Sequence, residues 1–403
     1  MRKLNTRNFR LATRSTPREV NRQIVLNLIR EHQPISRAEL ARRMKVPRAA
    51  LTSIVRDLLE RGAVYEAGAA AAVRGRRPRL LAIRTSGQLV IAADVRQDRT
   101  SLALSDVGGR IVARKSFRTP ESPERLLDDM VTHVSRVLRE HRAADGETVQ
   151  GVGIVVPGMV DRHSGRVLYA PRLGWRDVDL QEPLAARLGL AVSIESAPIA
   201  CALARLWSLT GDSRAVNNFA YVSVSDGVGV AVVVRGEVLR GEAHTAGEIG
   251  HVSLDPNGPR CACGKRGCWE AFCCNAATVA RYADALGGKR GTRSAIAVEE
   301  IVRRALRGEP AAAHAIAETG GQIGRGLAAV VSAFNPKRIY IGGEITAAWE
   351  LIEPPMRAVL AENTLTEATR STPIHPDPDP AEYRLLGAVA LVSSPAFALP
   401  RVG

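Results

Sequence analysis

Apolar positions at Val20, Ile24, Val25, Leu28 and Ile29 recur at helical spacing and stop before Gln33-Pro34, so the pattern predicts a first helix that ends there. Ser36 followed by Arg37, Ala38 and Glu39 reads as a capping box, in which the hydroxyl accepts from the Glu39 N–H and the carboxylate reaches back. A second helix is expected from there to about Arg43. After the turn Met44-Lys45-Val46, Pro47 suits the first turn of a third helix. Leu51, Ile54, Val55, Leu58 and Leu59 would face inward, and Gly62 would stop it. Residues 63–65 and 80–83 read as two strands behind it. Three helices, a tight turn before the third and a strand pair predict a winged helix-turn-helix over 18–84, preceded by a flexible basic arm at 1–17.

Beyond Gly87 the period changes. Residues 89–93, 101–104 and 110–113 read as consecutive strands separated by turn residues. Residues 152–156, 219–224, 228–234 and 338–341 read as further strands, with helical patterns between several of them, so an α/β sheet domain follows. The 403 residues exceed one ordinary core, and two or three domains are expected. A composition of 45% apolar and 24% charged residues is ordinary globular chemistry. The start, MRKLNTRNFRLATR, has no apolar run behind its charges, and no stretch reaches eighteen uninterrupted apolar residues. A soluble, cytoplasmic protein without membrane attachment is expected.

Charge separates the two parts. Residues 1–84 hold twenty Lys/Arg and six Asp/Glu, a balance of +14, whereas 85–403 hold thirty-six and thirty-five, a balance of +1. Such a gradient predicts a small part built to meet a polyanion, with double-stranded DNA the first candidate. The outward face of the third helix would carry Arg48, Ala49, Thr52, Ser53 and Arg56. Its short side chains let a helix enter a major groove, Arg48 reaches guanine edges, and Thr52 or Arg56 meets phosphates. Between the two strands, Arg74-Gly75-Arg76-Arg77-Pro78-Arg79 suits arginines laid into a narrow minor groove. The alternatives are a helical docking domain with a solvated basic face, and a basic linker at 74–79.

Six cysteines are too few for a disulfide scaffold, and all but Cys201 fall between Cys261 and Cys274. His251, Cys261, Cys263 and Cys268 read H-x9-C-x-C-x4-C, with Gly264 and Gly267 permitting tight turns. Four ligands of the type Cys3His form a closed tetrahedral site, for which Zn²⁺ in a structural role is the natural occupant. Cys273 and Cys274 lie just beyond and compete with Cys268 as ligands. Free buried cysteines beside a surface histidine are the alternative.

With that cluster, the run AGEIGHVSLDPNGPRCACGKRGCWE at 246–270 resembles the signature of the ROK family, which joins sugar kinases and repressors. The resemblance extends from Leu89 to about Phe397, through VPGMVD at 156–161, APRLGW at 170–175 and SAFNPKRIYIGGEI at 332–345. With a winged helix in front, the chain resembles the repressor branch. That resemblance implies an actin-like, ribonuclease-H-like pair of α/β lobes around a cleft. The first would span 88–195 plus about 383–400, the second 196–382 with the zinc site. It places Glu248, His251 and Glu270 where family kinases meet sugar hydroxyls, with Ser196 and Arg172 beside them. For Glu270 a solvent-facing helix position is the alternative. Arg172 stands where the family often has Asn; its planar fork suits a phosphorylated or acidic sugar, unless it is a surface arginine.

The catalytic half of the family pattern is missing. The family's E-N-D-A-N stretch, whose Asp removes the sugar hydroxyl proton, reads Glu195-Ser196-Ala197-Pro198-Ile199, and Ala197 cannot act as a base. The phosphate loop D-x-G-G-T reads Asp94-Val95-Arg96-Gln97-Asp98, without its glycines. The second loop, G-T-G-x-G, reads Ser225-Asp226-Gly227-Val228-Gly229, where Asp226 repels phosphate. The expectation is therefore a regulator and not an enzyme: a repressor of carbohydrate uptake or catabolism genes that reads a palindromic operator as a homodimer or dimer of dimers. Its effector would be a sugar, amino sugar or sugar phosphate bound in the cleft. The alternatives are an ATP-dependent cytoplasmic sugar kinase with an N-terminal extension, and a regulator that no longer senses a sugar.

Overall fold

A computed structural model describes residues 18–69, 78–141, 147–207, 217–242, 245–287, 296–377 and 379–394. The arm at 1–17 and the arginines Arg74, Arg76 and Arg77 lie outside the described residues.

The head consists of α1 (Arg18–His32), β1 (Ile35–Ser36), α2 (Arg37–Met44), α3 (Arg48–Glu60), β2 (Val64–Ala69) and β3 (Arg79–Ile83). β3 lies between β1 and β2 and is antiparallel to both. Ile24, Val25, Leu28 and Ile29 of α1 meet Leu40, Leu51, Ile54, Val55, Leu58 and Leu81 in one core. Each such side chain contributes about 1.5–3 kcal/mol by leaving water. Leu59, expected inside, only packs at the edge of this core. Ser36 caps α2, its Oγ accepting from the Glu39 N–H at 3.1 Å. The reciprocal half of the expected capping box is absent, because the Glu39 carboxylate pairs instead with Arg42 and Arg43 one turn on. Lys45, at φ 54°, closes α2 in the left-handed conformation and makes the tight turn before α3. The other side of α1 is buried too: Gln23, Asn27 and Arg30 keep 8%, 2% and 5% exposure. Arg30 lies 4.8 Å from the ring centre of Trp207, so the head is packed onto the body.

The body is built on two five-stranded sheets. The first uses β4 (Gln88–Val95), β5 (Arg99–Asp106), β6 (Ile111–Arg118), β7 (Thr148–Val156) and β11 (Val192–Ser196), in the order β11-β7-β4-β5-β6. β7 and β11 run parallel to β4, and β5 is antiparallel to it. One face is covered by α4 (Pro123–His141) and α5 (Gln181–Leu188) through Leu126, Met130, Val134, Val137 and Leu184. A small sheet of β8 (Met159–Val160), β9 (Arg166–Ala170) and β10 (Trp175–Asp179) stands beside it.

The second sheet uses β12 (Phe219–Val224), β13 (Val228–Val234), β14 (Glu237–Val238), β15 (Ile339–Gly342) and β16 (Ile374–Pro376), in the order β14-β13-β12-β15-β16. Between the sheets lie α6 (Ala197–Trp207) and α13 (Pro380–Ser393). Ala200, Ala388 and Val389 pack on Val90, Ala92 and Val155 of the first sheet. Ile199, Cys201, Leu206 and Ala390 pack on Phe219, Tyr221 and Val233 of the second. Backbones approach closely here: a Cβ on Gly153 would overlap the Ala388 carbonyl, which is why small residues recur along this seam. The far face of the second sheet is covered by α7 (Trp269–Cys273), α8 (Asn275–Ala285), α9 (Val298–Leu306), α10 (Pro310–Phe334) and α11 (Trp349–Glu362), with the short α12 (Glu367–Arg370) beyond. Trp269 is fully buried against α10, where a Cβ on Gly326 would enter its indole, and its Nε1 donates to the Gln322 carbonyl at 2.9 Å. Among the described residues no helix is long and apolar enough to cross a membrane.

Candidate functional site

On the head, α3 buries Leu51, Ile54, Val55 and Leu58 and leaves Arg48, Ala49, Thr52, Ser53 and Arg56 exposed on one face. Thr52 Oγ1 donates to the Arg48 carbonyl at 3.3 Å, and Arg56 makes only a loose 3.8 Å pair with Glu60. The small residues in the middle leave that face flat, and a cation stands at each end. Arg42, Arg43 and Lys45 are exposed beside the turn that precedes α3. The sequence reading did not single them out, although their position before the third helix signalled it.

The loop after Gly247 brings His251, Cys261, Cys263 and Cys268 together, with all four ligand atoms within 4.8 Å of one another. Cys263 Sγ and Cys268 Sγ are 3.7 Å apart, and Cys261 Sγ is 3.6 Å from His251 Nδ1. With Zn–S near ~2.3 Å and Zn–N near ~2.05 Å, a tetrahedral site has S···S edges of about 3.8 Å and S···N edges of about 3.5 Å. The four residues fit such an ion. Gly264 (φ 92°) and Gly267 (φ 68°) turn the chain between the thiols, and a Cβ on Gly267 would collide with the Asp255 carbonyl. Cys273 and Cys274 are outside this group: Cys273 Sγ lies 3.5 Å from the Trp269 carbonyl, and Cys274 Sγ lies 3.6 Å from Arg172.

His251 turns Nδ1 to the thiols and Nε2 toward Glu248, 3.9 Å away, at a cavity of about 110 Å³. That is well below the roughly 300–1,000 Å³ of pockets for drug-sized ligands, and leaves room for a small solute but not a nucleotide. Glu248, His251, Glu270 and Arg172 all line it. Ser196, expected there, does not: β11 passes straight into α6, and the chain reaches the cavity one step later at Ala197 and Pro198. Glu270 is buried at 6% exposure rather than solvent-facing, and its Oε2 accepts from the Val228 N–H at 3.0 Å. Partial burial, and then the Glu270 carboxylate, push Glu248 up to about 7. Arg172 is half-buried between the cavity and the open cleft, its side chain 24% exposed. It follows β9, where Gly158 (φ 99°) lets the 157–158 turn lie against Tyr169 and Ala170.

A second, open cleft of about 2,050 Å³ adjoins the cavity, and Arg96, Gln97, Arg172 and Asp226 line both. Ion pairs fill the junction. Arg384 bonds Asp94 at 2.6 Å, Arg96 bonds the other Asp94 oxygen at 3.1 Å, and Arg96 also pairs with Glu344 across the cleft. Glu344 accepts from Ser225 at 2.7 Å and Asn275 at 3.1 Å. Although burial pushes Glu344 up, Arg96, Ser225 and Asn275 hold it below the usual carboxylate range. Nearby, Glu195 is paired with Arg240 at 2.6 Å. Neither network was visible in the sequence, since its partners are far apart along the chain.

Comparison with known proteins follows this division. A model of the ROK family matches residues 90–394, and one of the MarR family matches residues 23–66. The chain belongs to the ROK family. The xylose repressor of Bacillus subtilis (strain 168) is 27% identical over 370 residues, covering 91% of this chain and 93% of its own. The DNA-binding transcriptional dual regulator NagC of Escherichia coli (strain K12) is 27% identical over 363 residues, covering 89% and 88%. A solved ROK family transcriptional regulator, described as a homolog of the E. coli MLC protein, superposes with a TM-score of 0.79 at 27% identity, covering 94% of this chain and 96% of that one. These likenesses run through the head as well as the body, and the body has the actin-like ROK kinase fold beneath a MarR-type winged helix.

Proposed function

We infer that this ROK protein is a DNA-binding transcriptional regulator and not a kinase, and that its body senses a small carbohydrate. The observation that carries the reading is the pairing of an exposed α3 face on a MarR-type head with a ROK body that has Ala197 at the position of the family's catalytic base. In this reading Arg48, Ala49, Thr52, Ser53 and Arg56 enter the major groove of a palindromic operator, and Arg74, Arg76 and Arg77 add minor-groove contacts. Two copies, or a dimer of dimers, match the two half-sites. The DNA-binding unit is 18–84; the first lobe is 88–195 completed by about 383–400, and the second is 196–382. Relatives named as a xylose repressor and an N-acetylglucosamine repressor support a monosaccharide effector, and repression of carbohydrate genes in the cytoplasm is the matching role.

His251, Cys261, Cys263 and Cys268 would hold a structural Zn²⁺, which fixes the 251–268 loop and the imidazole at the cavity floor. Glu248 and Glu270 would accept hydrogen bonds from sugar hydroxyls. α6 begins at Ala197 and Pro198 in the cavity wall and ends at Trp207 under Arg30 of the head, so a ligand that shifts α6 is felt at α1 and hence α3. Coupling of this kind is typically worth about 1–3 kcal/mol. Trp207→Ala is expected to leave effector and operator affinities measurable and to remove most of the effect of one on the other. Unchanged coupling in that variant would contradict this route. Selection from random duplexes is expected to enrich one palindrome; ADP production with any hexose or amino sugar would instead favour a kinase.

A further inference from the structure

We propose that the effector carries an anionic group, a carboxylate or a phosphate, and that Arg172 is the side chain that selects it. The proposal rests on the effector-cavity reading above and narrows it. Three guanidinium groups line the cavity. Arg384 and Arg96 are committed, to Asp94 and to Asp94 with Glu344. Arg172 is held more loosely: it makes a long ion pair with Glu270 Oε1 at 4.0 Å, beyond hydrogen-bond reach, and its Nη2 donates to the weak Cys274 sulfur acceptor at 3.6 Å. Its Nε is buried without any hydrogen-bond partner. The side chain keeps 24% exposure at the cavity wall, so a guanidinium without a strong acceptor there is open to a ligand that supplies one.

The position also suits an anion at one end of a sugar. Glu248 and Glu270 can take hydroxyl hydrogens, whereas Arg172 stands where the cavity opens into the larger cleft. A carboxylate or phosphate there would be received by two parallel N–H donors of one planar fork. Asp226 shares this throat and its carboxylate opposes an anion there, even with its Oδ1 accepting from Asn275 Nδ2 at 3.3 Å, so the anionic group is expected on Arg172 itself and not deeper toward Asp226.

The test is calorimetric titration of the metal-loaded full-length protein with xylose, xylonate, glucose, glucuronate and glucose 6-phosphate. At least one anion is expected to bind tenfold or more tightly than its neutral counterpart, and more weakly as salt is raised; the carboxylate and phosphate arms identify its source. Arg172→Ala should abolish that preference and Arg172→Lys should keep part of it, while both variants retain metal content, thermal midpoint and operator binding. Equal binding of neutral and anionic sugars, an unchanged preference in Arg172→Ala, or no binding of any of the five by a protein that still holds operator would each overturn the proposal and leave the DNA-binding reading standing. Selective anion binding without any operator motif would do the reverse.

Discussion

On one side of the interlobe cleft, Glu248, His251, Glu270 and Arg172 surround a small cavity above three thiols. On the other, where the ROK pattern places phosphate loops, Asp94, Arg96, Glu344 and Arg384 bond one another. The polar groups of the second region are satisfied within the protein, and buried charges held in that way leave no electrostatic work for a nucleotide. Those of the first retain unused donors and acceptors, which cost free energy unless a ligand meets them. The two regions thus differ in how their charges are met: one keeps a cavity whose polar groups are partly unmatched, and the other closes on itself as an internal ionic clasp.

The largest expected effect falls on the cavity side. Cys263→Ser should lose the metal, and structural zinc sites carry apparent binding free energies on the order of 10 kcal/mol, so the second sheet and its helices should melt far earlier in calorimetry. Metal content equal to the parent's would break this half of the comparison. On the clasp side, Arg384→Ala leaves Asp94, whose side chain is only 4% exposed, with Arg96 as its one remaining cation, and should cost about 3 kcal/mol in denaturant unfolding. Replacing both residues with apolar ones should recover much of that loss; no recovery would mean the pair does more than satisfy itself.

Effects in the head should be smaller and local. Arg48→Ala is predicted to lose about 1–3 kcal/mol of operator affinity and to relax base preference at one position per half-site, read by competition binding. At the far end of the scale, Ala197→Asp should produce no ADP from ATP and sugar, because Asp226 and the Arg96 clasp still occupy the phosphate side. ADP above background from that variant would show the clasp to be a lesser obstacle than its geometry implies.

The head was readable from sequence because its determinants are local. The helical spacing from Val20 to Ile29 and the Ser36 cap act within a few residues, and both elements stand where they were expected. The capping box failed halfway because Arg42 and Arg43 compete for Glu39, a choice among neighbours that spacing cannot rank. The metal cluster was readable because thiol spacing and glycines are diagnostic, and the structure also separates Cys268 from Cys273 and Cys274. Arg96 with Glu344 and Arg384 with Asp94 were not, being 248 and 290 residues apart. Nor could the sequence choose between a surface and a cavity position for Arg172, because the groups beside it, Glu270 and Cys274, lie about a hundred residues away along the chain.

The central claim is most directly tested by selecting bound fragments from a genomic DNA pool with the purified protein, at physiological salt, and repeating the selection with neutral and anionic sugars. Enrichment of one palindromic motif, withdrawn by a sugar ligand, is the predicted result. Retention that is motif-free, salt-sensitive and indifferent to every sugar would contradict it.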